Sequence, residues 1–213
     1  MKTVYVGLSG GVDSSVSAAL LKDAGYNVVG VYMQNWTQDI GGVECPWKQD
    51  LADAKAVAAK LDIPIKVFDF QKEYKAQVVD YMLAEYQAGR TPNPDVMCNQ
   101  EIKFKLFYEA AKADGADFIA TGHYARTQDG QLLRAADDNK DQTYFLANVP
   151  KKRLSQMLFP LNSFETKEEA EAMAKDIFNR WMLATDYKAV ESDEPANYRI
   201  INGALEPIQK EAA

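Results

Sequence analysis

The feature that most constrains this chain is the junction near its start, where the apolar, β-branched run Thr3 to Leu8 meets Ser9-Gly10-Gly11-Val12-Asp13-Ser14-Ser15. A short run of that kind bounded by glycines reads as a buried strand. From Val12 the apolar positions become Val12, Val16, Ala19 and Leu20, a helical spacing that Gly25 stops. Strand, glycine turn and helix together open a βαβ unit. The turn suits an anion: Gly10 and Gly11 allow close approach, Ser9, Ser14 and Ser15 offer hydroxyls, and the helix from Val12 presents its positive end. No Lys-Ser or Lys-Thr pair follows the glycines, so the γ-phosphate clamp of a hydrolysing Walker-type ATPase is missing. Asp13 repels phosphate unless it caps the helix or binds a divalent cation, and the second role implies Mg2+.

The alternation continues. Val28 to Met33, Ile63 to Phe70 and Asp117 to Thr121 read as strands, and Asp50 to Leu61, Tyr74 to Tyr86 and Ile102 to Lys112 as helices. Strands separated by helices predict an α/β fold, a parallel twisted sheet with helices on both faces, whose ligands collect at the carboxyl ends of the strands. After Gly122 the segments Tyr124 to Thr127 and Gln131 to Arg134 flank Asp129-Gly130, a hairpin signal. Thr166 to Phe178 reads as a helix opened by a capping box of Thr166 and Glu169, and Tyr198 to Ile201 as a short strand. The predicted organisation is a domain over 1–160 and a partly helical, acidic extension over 161–213.

Net charge is −7, but residues 161–213 hold 11 acidic and 6 basic side chains, which leaves only −2 on residues 1–160. The overall sign argues against binding carried mainly by phosphates, while the first part retains room for a basic face. Two cysteines, Cys45 and Cys98, fit neither a disulfide framework nor a four-ligand zinc site, and one histidine, His123, argues against a catalytic triad. No apolar run approaches a membrane span and no secretory leader pattern is present, so the expectation is a soluble, cytoplasmic protein that engages neither membrane nor DNA.

Thr91-Pro92-Asn93-Pro94 reads as a rigid loop, because each proline fixes its own φ and keeps its predecessor out of the helical region. Cys98 then opens a helix, where the helix end and nearby Lys103 and Lys105 favour thiolate. Cys98 is either that reactive thiol or a small core residue. His123, in Gly-His-Tyr after a strand, reads as a shaper of the pocket rather than a general base, and Cys45 as an incidental loop cysteine.

The glycine turn resembles the signature of the PP-loop ATP pyrophosphatases, which split ATP between its α and β phosphates and pass AMP to an oxygen. Three further segments, Met33-Gln34-Asn35-Trp36, Gly89 to Asn99 and Ala120-Thr121-Gly122-His123-Tyr124, together with Asn139 to Leu146, closely resemble the tRNA-specific 2-thiouridylase family from residue 3 to about Pro160. The resemblance implies ATP contacts by Gly7, Leu8, Ser9, Gly10, Gly11, Val12, Asp13, Ser14, Met33 and Gly122. It implies target-base contacts by Asn93, Pro94 and Asp95, tRNA contacts by Lys140, Asp141 and Gln142, and a catalytic role for Cys98, with Asp13 expected as the second catalytic residue. It further implies adenylation of the C2 oxygen of the wobble uridine, then displacement of AMP by sulfur carried as a cysteine persulfide. The expected cofactors are ATP and Mg2+, and the expected partners are tRNA and a sulfur-relay or persulfide donor protein.

The family's second reactive cysteine lies in a Ser-Thr-Gly-Ile-Cys-Phe-like segment after this domain, and no cysteine follows Cys98 here. Residues beyond Asn162 depart from the family pattern, so the expectation is a diverged paralogue in which a partner supplies the missing thiol or the persulfide, Cys98 or Cys45 takes on both roles, or RNA is no longer thiolated. The alternatives are an ATP-binding sensor or scaffold, and a PP-loop ligase or amidotransferase that adenylates a small molecule.

Overall fold

The computed structural model describes residues 1–39, 45–135, 139–161, 198–201 and 204–207. The chain divides into two compact units, Met1–Asn162 and Ser163–Ala213. In the first, strands β1 (Thr3–Gly7), β2 (Asn27–Gln34), β3 (Ile65–Asp69), β4 (Phe118–Ala120) and β7 (Met157–Leu158) form one parallel sheet in the order β3-β2-β1-β4-β7. The chain builds outward from β1 through β2 to β3, then returns to lay β4 on the other side of β1. The order therefore reverses between β1 and β4, and a crevice opens at their carboxyl ends.

Both faces of this sheet are covered, for reasons visible in the period of two along β1. Tyr5 faces a core shared with Val29, Val31 and Ile119, into which Val78, Ile102, Phe104 and Phe107 pack from two long helical stretches over 71–87 and 94–113. Val4 and Val6, both wholly buried, alternate to the opposite face. There helices α1 (Val12–Asp23) and α2 (Trp47–Lys60) cover them with small buried side chains such as Ala18, Ala54 and Ala58. The predicted parallel α/β fold with helices on both faces is the fold observed.

The differences lie at boundaries. The helix expected from Ile102 begins at Pro94, because the Asn93 side chain accepts a hydrogen bond from the Val96 N–H at 3.1 Å and proline at the first helical position has no N–H to satisfy. The rigid proline loop is thus the start of a helix. Both long helices contain π-helical turns, Lys75–Val79 and Cys98–Phe107, which no propensity signals. The hairpin forms as β5 (Arg126–Gln128) and β6 (Gln131–Leu133), with Asp129 and Gly130 at φ 51° and 72°, the left-handed pair that a two-residue primed turn requires. Tyr124 and Ala125, expected in that hairpin, precede it. Strand β7 is two residues long and carries no periodic pattern.

In the second unit, β8 (Tyr198–Ile201) forms where a strand is expected and pairs antiparallel with β9 (Ala204–Pro207). The helix expected over Thr166 to Phe178 lies outside the described residues. Among the described residues no helix is long and apolar enough to cross a membrane.

Candidate functional site

A cavity of about 320 Å3 occupies the crevice where β1 and β4 end. Gly7, Leu8, Ser9, Asp13 and Ser14 supply one wall, and Thr121, Gly122 and His123 face them from the end of β4. Tyr32, Met33 and Asn35 enter from β2 and the residue after it, Lys103 from the 94–113 helix, and Gln142 from the segment after the hairpin.

The glycine turn is held open by its own hydroxyls. Ser14 Oγ and Ser15 Oγ donate to the Gly11 carbonyl at 3.0 and 2.7 Å, and Ser14 Oγ accepts from the Ser9 N–H at 3.2 Å. The first N–H groups of α1, which have no partner within the helix, lie at this end. Gly10 has φ +87°, and a Cβ there would come within 2.7 Å of Asp53 Cβ and 2.9 Å of the Ala54 N in α2. Gly122 is constrained by space: a Cβ would lie 2.8 Å from backbone atoms of Asp13 and Ser14. Glycine at 122 therefore lets β4 approach the start of α1 and close the crevice.

His123 is buried, its Nδ1 lies 2.8 Å from Thr121 Oγ1, and its ring packs on Phe104 and Phe159. Burial, with the positive charge of Lys103 adding to it, lowers the imidazole pKa to about 3. A neutral ring here shapes and hydrogen-bonds the pocket, as the sequence reading favours, and has no proton to give as an imidazolium.

Asp13 is the one carboxylate among the cavity-lining residues, and its Oδ1 accepts from the Tyr124 hydroxyl at 3.0 Å. It does not cap α1, whose cap is Gly11. Among the described residues no group of three His, Cys, Asp or Glu is placed to hold a metal. A Mg2+ here would have one protein carboxylate and would take its other ligands from phosphate and water. The residues also fit an adenine nucleotide: the glycine turn accommodates phosphate, and Asn35 Oδ1 is a buried acceptor without a partner, available to an amino group.

Of the residues expected to contact nucleotide, Gly7, Leu8, Ser9, Asp13, Ser14, Met33 and Gly122 line the cavity. Gly10, Gly11 and Val12 do not; Gly10 packs on α2, and the Val12 side chain is 77% exposed. Asn93 and Asp95 are exposed and Pro94 half-buried, all at the start of the 94–113 helix. Gln142 lines the cavity and is tied to Tyr124, accepting from its N–H at 3.0 Å through Oε1. Lys140 is exposed, with its ammonium 5.5 Å from the centre of the Tyr124 ring. Asp141 instead organises its own turn, accepting from Thr143, Ala135 and Arg134. Burial pushes its carboxyl up, but those bonds outweigh it and hold the group well below the usual carboxylate range.

The reading of Cys98 requires correction. It is the fifth residue of its helical stretch rather than the first, and it packs half-buried against the core. Burial pushes its thiol up, Lys103 draws it down, and Asp95 pushes it up, so the thiol ends above its ordinary value. The helix end at Asn93 is too far back to favour thiolate. Tyr32, Asn35, Lys103 and Thr121 also line the cavity, although none of them is among the residues expected to contact nucleotide. Asn35 stands two residues after Met33, the strand period, and was legible; Lys103 was legible as a neighbour of Cys98 but not as a wall of the cavity.

A family model described as the tRNA methyl transferase HUP domain matches residues 2–189. The chain belongs to this family. The match runs past Pro160, where the resemblance was expected to end. Among curated relatives, the tRNA-specific 2-thiouridylase MnmA of Christiangramia forsetii is 51% identical over 185 residues, covering 82% of this chain and 47% of the relative. The protein of the same name from Streptococcus thermophilus is 52% identical over 191 residues, covering 87% and 50%. The chain spans about half the length of the curated relatives it matches. A solved structure of a predicted tRNA methyltransferase subunit from Methanocaldococcus jannaschii shares the fold, with a TM-score of 0.50 at 20% identity over 81% of this chain and 74% of that one.

Proposed function

We propose that this family member adenylates the C2 oxygen of the wobble uridine in tRNA and supports its replacement by sulfur, with ATP and Mg2+ as cofactors and a persulfide-bearing protein as sulfur donor. The observation that carries this reading is the cavity itself. A glycine turn with free helix N–H groups is closed by Gly122, in a chain about half identical to proteins named tRNA-specific 2-thiouridylases.

ATP, when bound, supplies the adenylyl group that turns a poor leaving oxygen into a good one. The remaining work falls to the chain. Ser9, Ser14 and the first N–H groups of α1 hold phosphate oxygens, and Met33 and Asn35 border the base. Asp13 carries Mg2+, and the Tyr124 hydroxyl orients its carboxylate. His123, neutral and apolar on its Phe104 side, excludes water. Asn93, Pro94 and Asp95 meet the target base, while Lys140 and Gln142, both beside Tyr124, meet the tRNA. Cys98 receives or presents the sulfur. A second thiol for the relay comes from a partner or from Cys45.

Pyrophosphate release, measured with and without a tRNA transcript carrying uridine at the wobble position, tests this. The expected result is release that depends on that uridine and is lost in D13N. Release indifferent to tRNA would replace the reading with small-molecule adenylation, which the −7 net charge favours. Tight ATP binding without turnover would make the chain a nucleotide sensor.

A further inference from the structure

Lys103 is placed by an unusual piece of helix. In an α-helix a residue five positions on is turned about 140° away, at 3.6 residues per turn. Cys98–Phe107 is π-helical, and its i to i+5 winding brings the fifth residue back beneath the first. Lys103 therefore shares the face of Cys98 and also lines the cavity with the glycine turn and His123. Its neighbour on the helix, Lys105, is paired with Glu101, whereas among the described residues no carboxylate pairs with Lys103. A half-buried ammonium left without a protein anion, at the wall of a cavity built for phosphate, is a cation held for a ligand.

Resting on the adenylation reading above, we propose that Lys103 is the cation shared by the two anions of the reaction, the phosphate in the cavity and the sulfur of Cys98. In the sulfur-transfer step the outer sulfur of a persulfide on Cys98, received from the donor protein, forms a bond to C2, the carbon–oxygen bond breaks, and the electron pair departs on the oxygen of the leaving phosphate. A second thiol then attacks Cys98 Sγ and forms a disulfide with it, and the electron pair of the broken S–S bond stays on the sulfur at C2. Negative charge thus moves from the sulfur to the phosphate. Lys103 faces both positions and balances the charge at the start and at the end. The π-helical winding is what makes this possible, since an α-helix carrying the same residues would turn Lys103 away from Cys98. The electrostatics agree: Lys103 lowers the pKa of Cys98 against the effects of burial and Asp95, and also disfavours protonation of His123. The ionisable groups facing Cys98 are Lys103 and Asp95 on its own helix and Tyr74 on the 71–87 helix.

The test compares the full chain with K103M and K103R in two measurements. The first is the pH profile of iodoacetamide alkylation, read at the Cys98 peptide by mass spectrometry so that Cys45 does not interfere. The second is binding of ATP and of adenosine, by calorimetry. K103M is expected to shift the alkylation profile to higher pH and to slow the rate near neutrality about tenfold, one pKa unit's worth. It is expected to weaken ATP about tenfold, the worth of a charge-assisted contact, and to leave adenosine, which has no phosphate, unchanged. K103R, which keeps the charge, is expected to restore most of both. A K103M chain that matches wild type in either measurement overturns the proposal, as does a variant that weakens ATP and adenosine alike. A wild-type chain that binds no ATP marks failure of the adenylation reading itself, and takes the shared cation with it.

Discussion

His123 shows how one side chain can be assigned a role by its surroundings. A histidine on the surface titrates near neutrality, but this one is enclosed by Phe104, Phe159 and Thr121 and takes up a proton only near pH 3. The unfolded chain protonates at its ordinary value of 6.5, so between pH 6.5 and 3 the unfolded state binds more protons than the fold. The contribution of His123 to stability is therefore complete above pH 6.5 and is lost as pH falls below it, by about 1.4 kcal/mol for each pH unit. H123Q is expected to flatten that slope, measured as urea midpoints from pH 7 to 4.5 in parallel with wild type. Glu101 and Asp141, held low by their hydrogen bonds, respond in both proteins and cancel in the comparison. A pH–rate profile without an inflection between 5.5 and 7.5 attributable to His123 belongs to the same expectation.

Elements are joined at this site by close backbone approach. In G122A the new methyl meets the backbone of Asp13 and Ser14 at 2.8 Å, and neither the strand end nor the helix start can yield without opening the crevice. The expected cost is about 1–3 kcal/mol in stability, as for overpacked cores, with ATP affinity falling more than stability requires; urea unfolding and calorimetry measure the two. The start of the 94–113 helix offers the opposite case. N93A removes the acceptor for the Val96 N–H and is expected to cost about 1 kcal/mol, with N93D recovering it. A larger effect on tRNA binding than on the urea midpoint in N93A is the sign that Asn93 also meets the target base. Helix boundaries such as this one were hard to read because proline serves equally at a loop and at the first helical position, and only the cap geometry separates the two.

The whole molecule carries an electrostatic constraint. Residues 1–160 are nearly neutral, and Lys66, Lys75, Lys105 and Arg153 are each paired with a carboxylate. Cations and carboxylates nearly balance over this part of the chain, so tRNA binding is expected to depend weakly on salt. Filter binding between 50 and 200 mM KCl should give a log–log slope smaller in magnitude than about 4, fewer than about five phosphates neutralised. A steeper slope would mean that a basic face forms that the pairing in the first unit does not suggest. With the shallow slope, recognition rests on shape and on the bases presented to Asn93, Asp95 and Gln142 rather than on the phosphate backbone.

The sequence by itself determined the order of strands and helices as far as β4, the parallel sheet and the place of the glycine turn. Each of these follows from local periodicity and from glycine, which act over a few residues. It also made the family visible, through short segments whose residue types serve a chemistry rather than a core. The tertiary structure alone decided which of those residues meet. It set Gly122 against the start of α1 and buried His123 until it stayed neutral. It moved Cys98 from a helix end into a half-buried second turn, and by π-helical winding set Lys103 beside it. These outcomes depend on contacts between distant segments and on a change of helical pitch, and neither leaves a mark in composition or spacing.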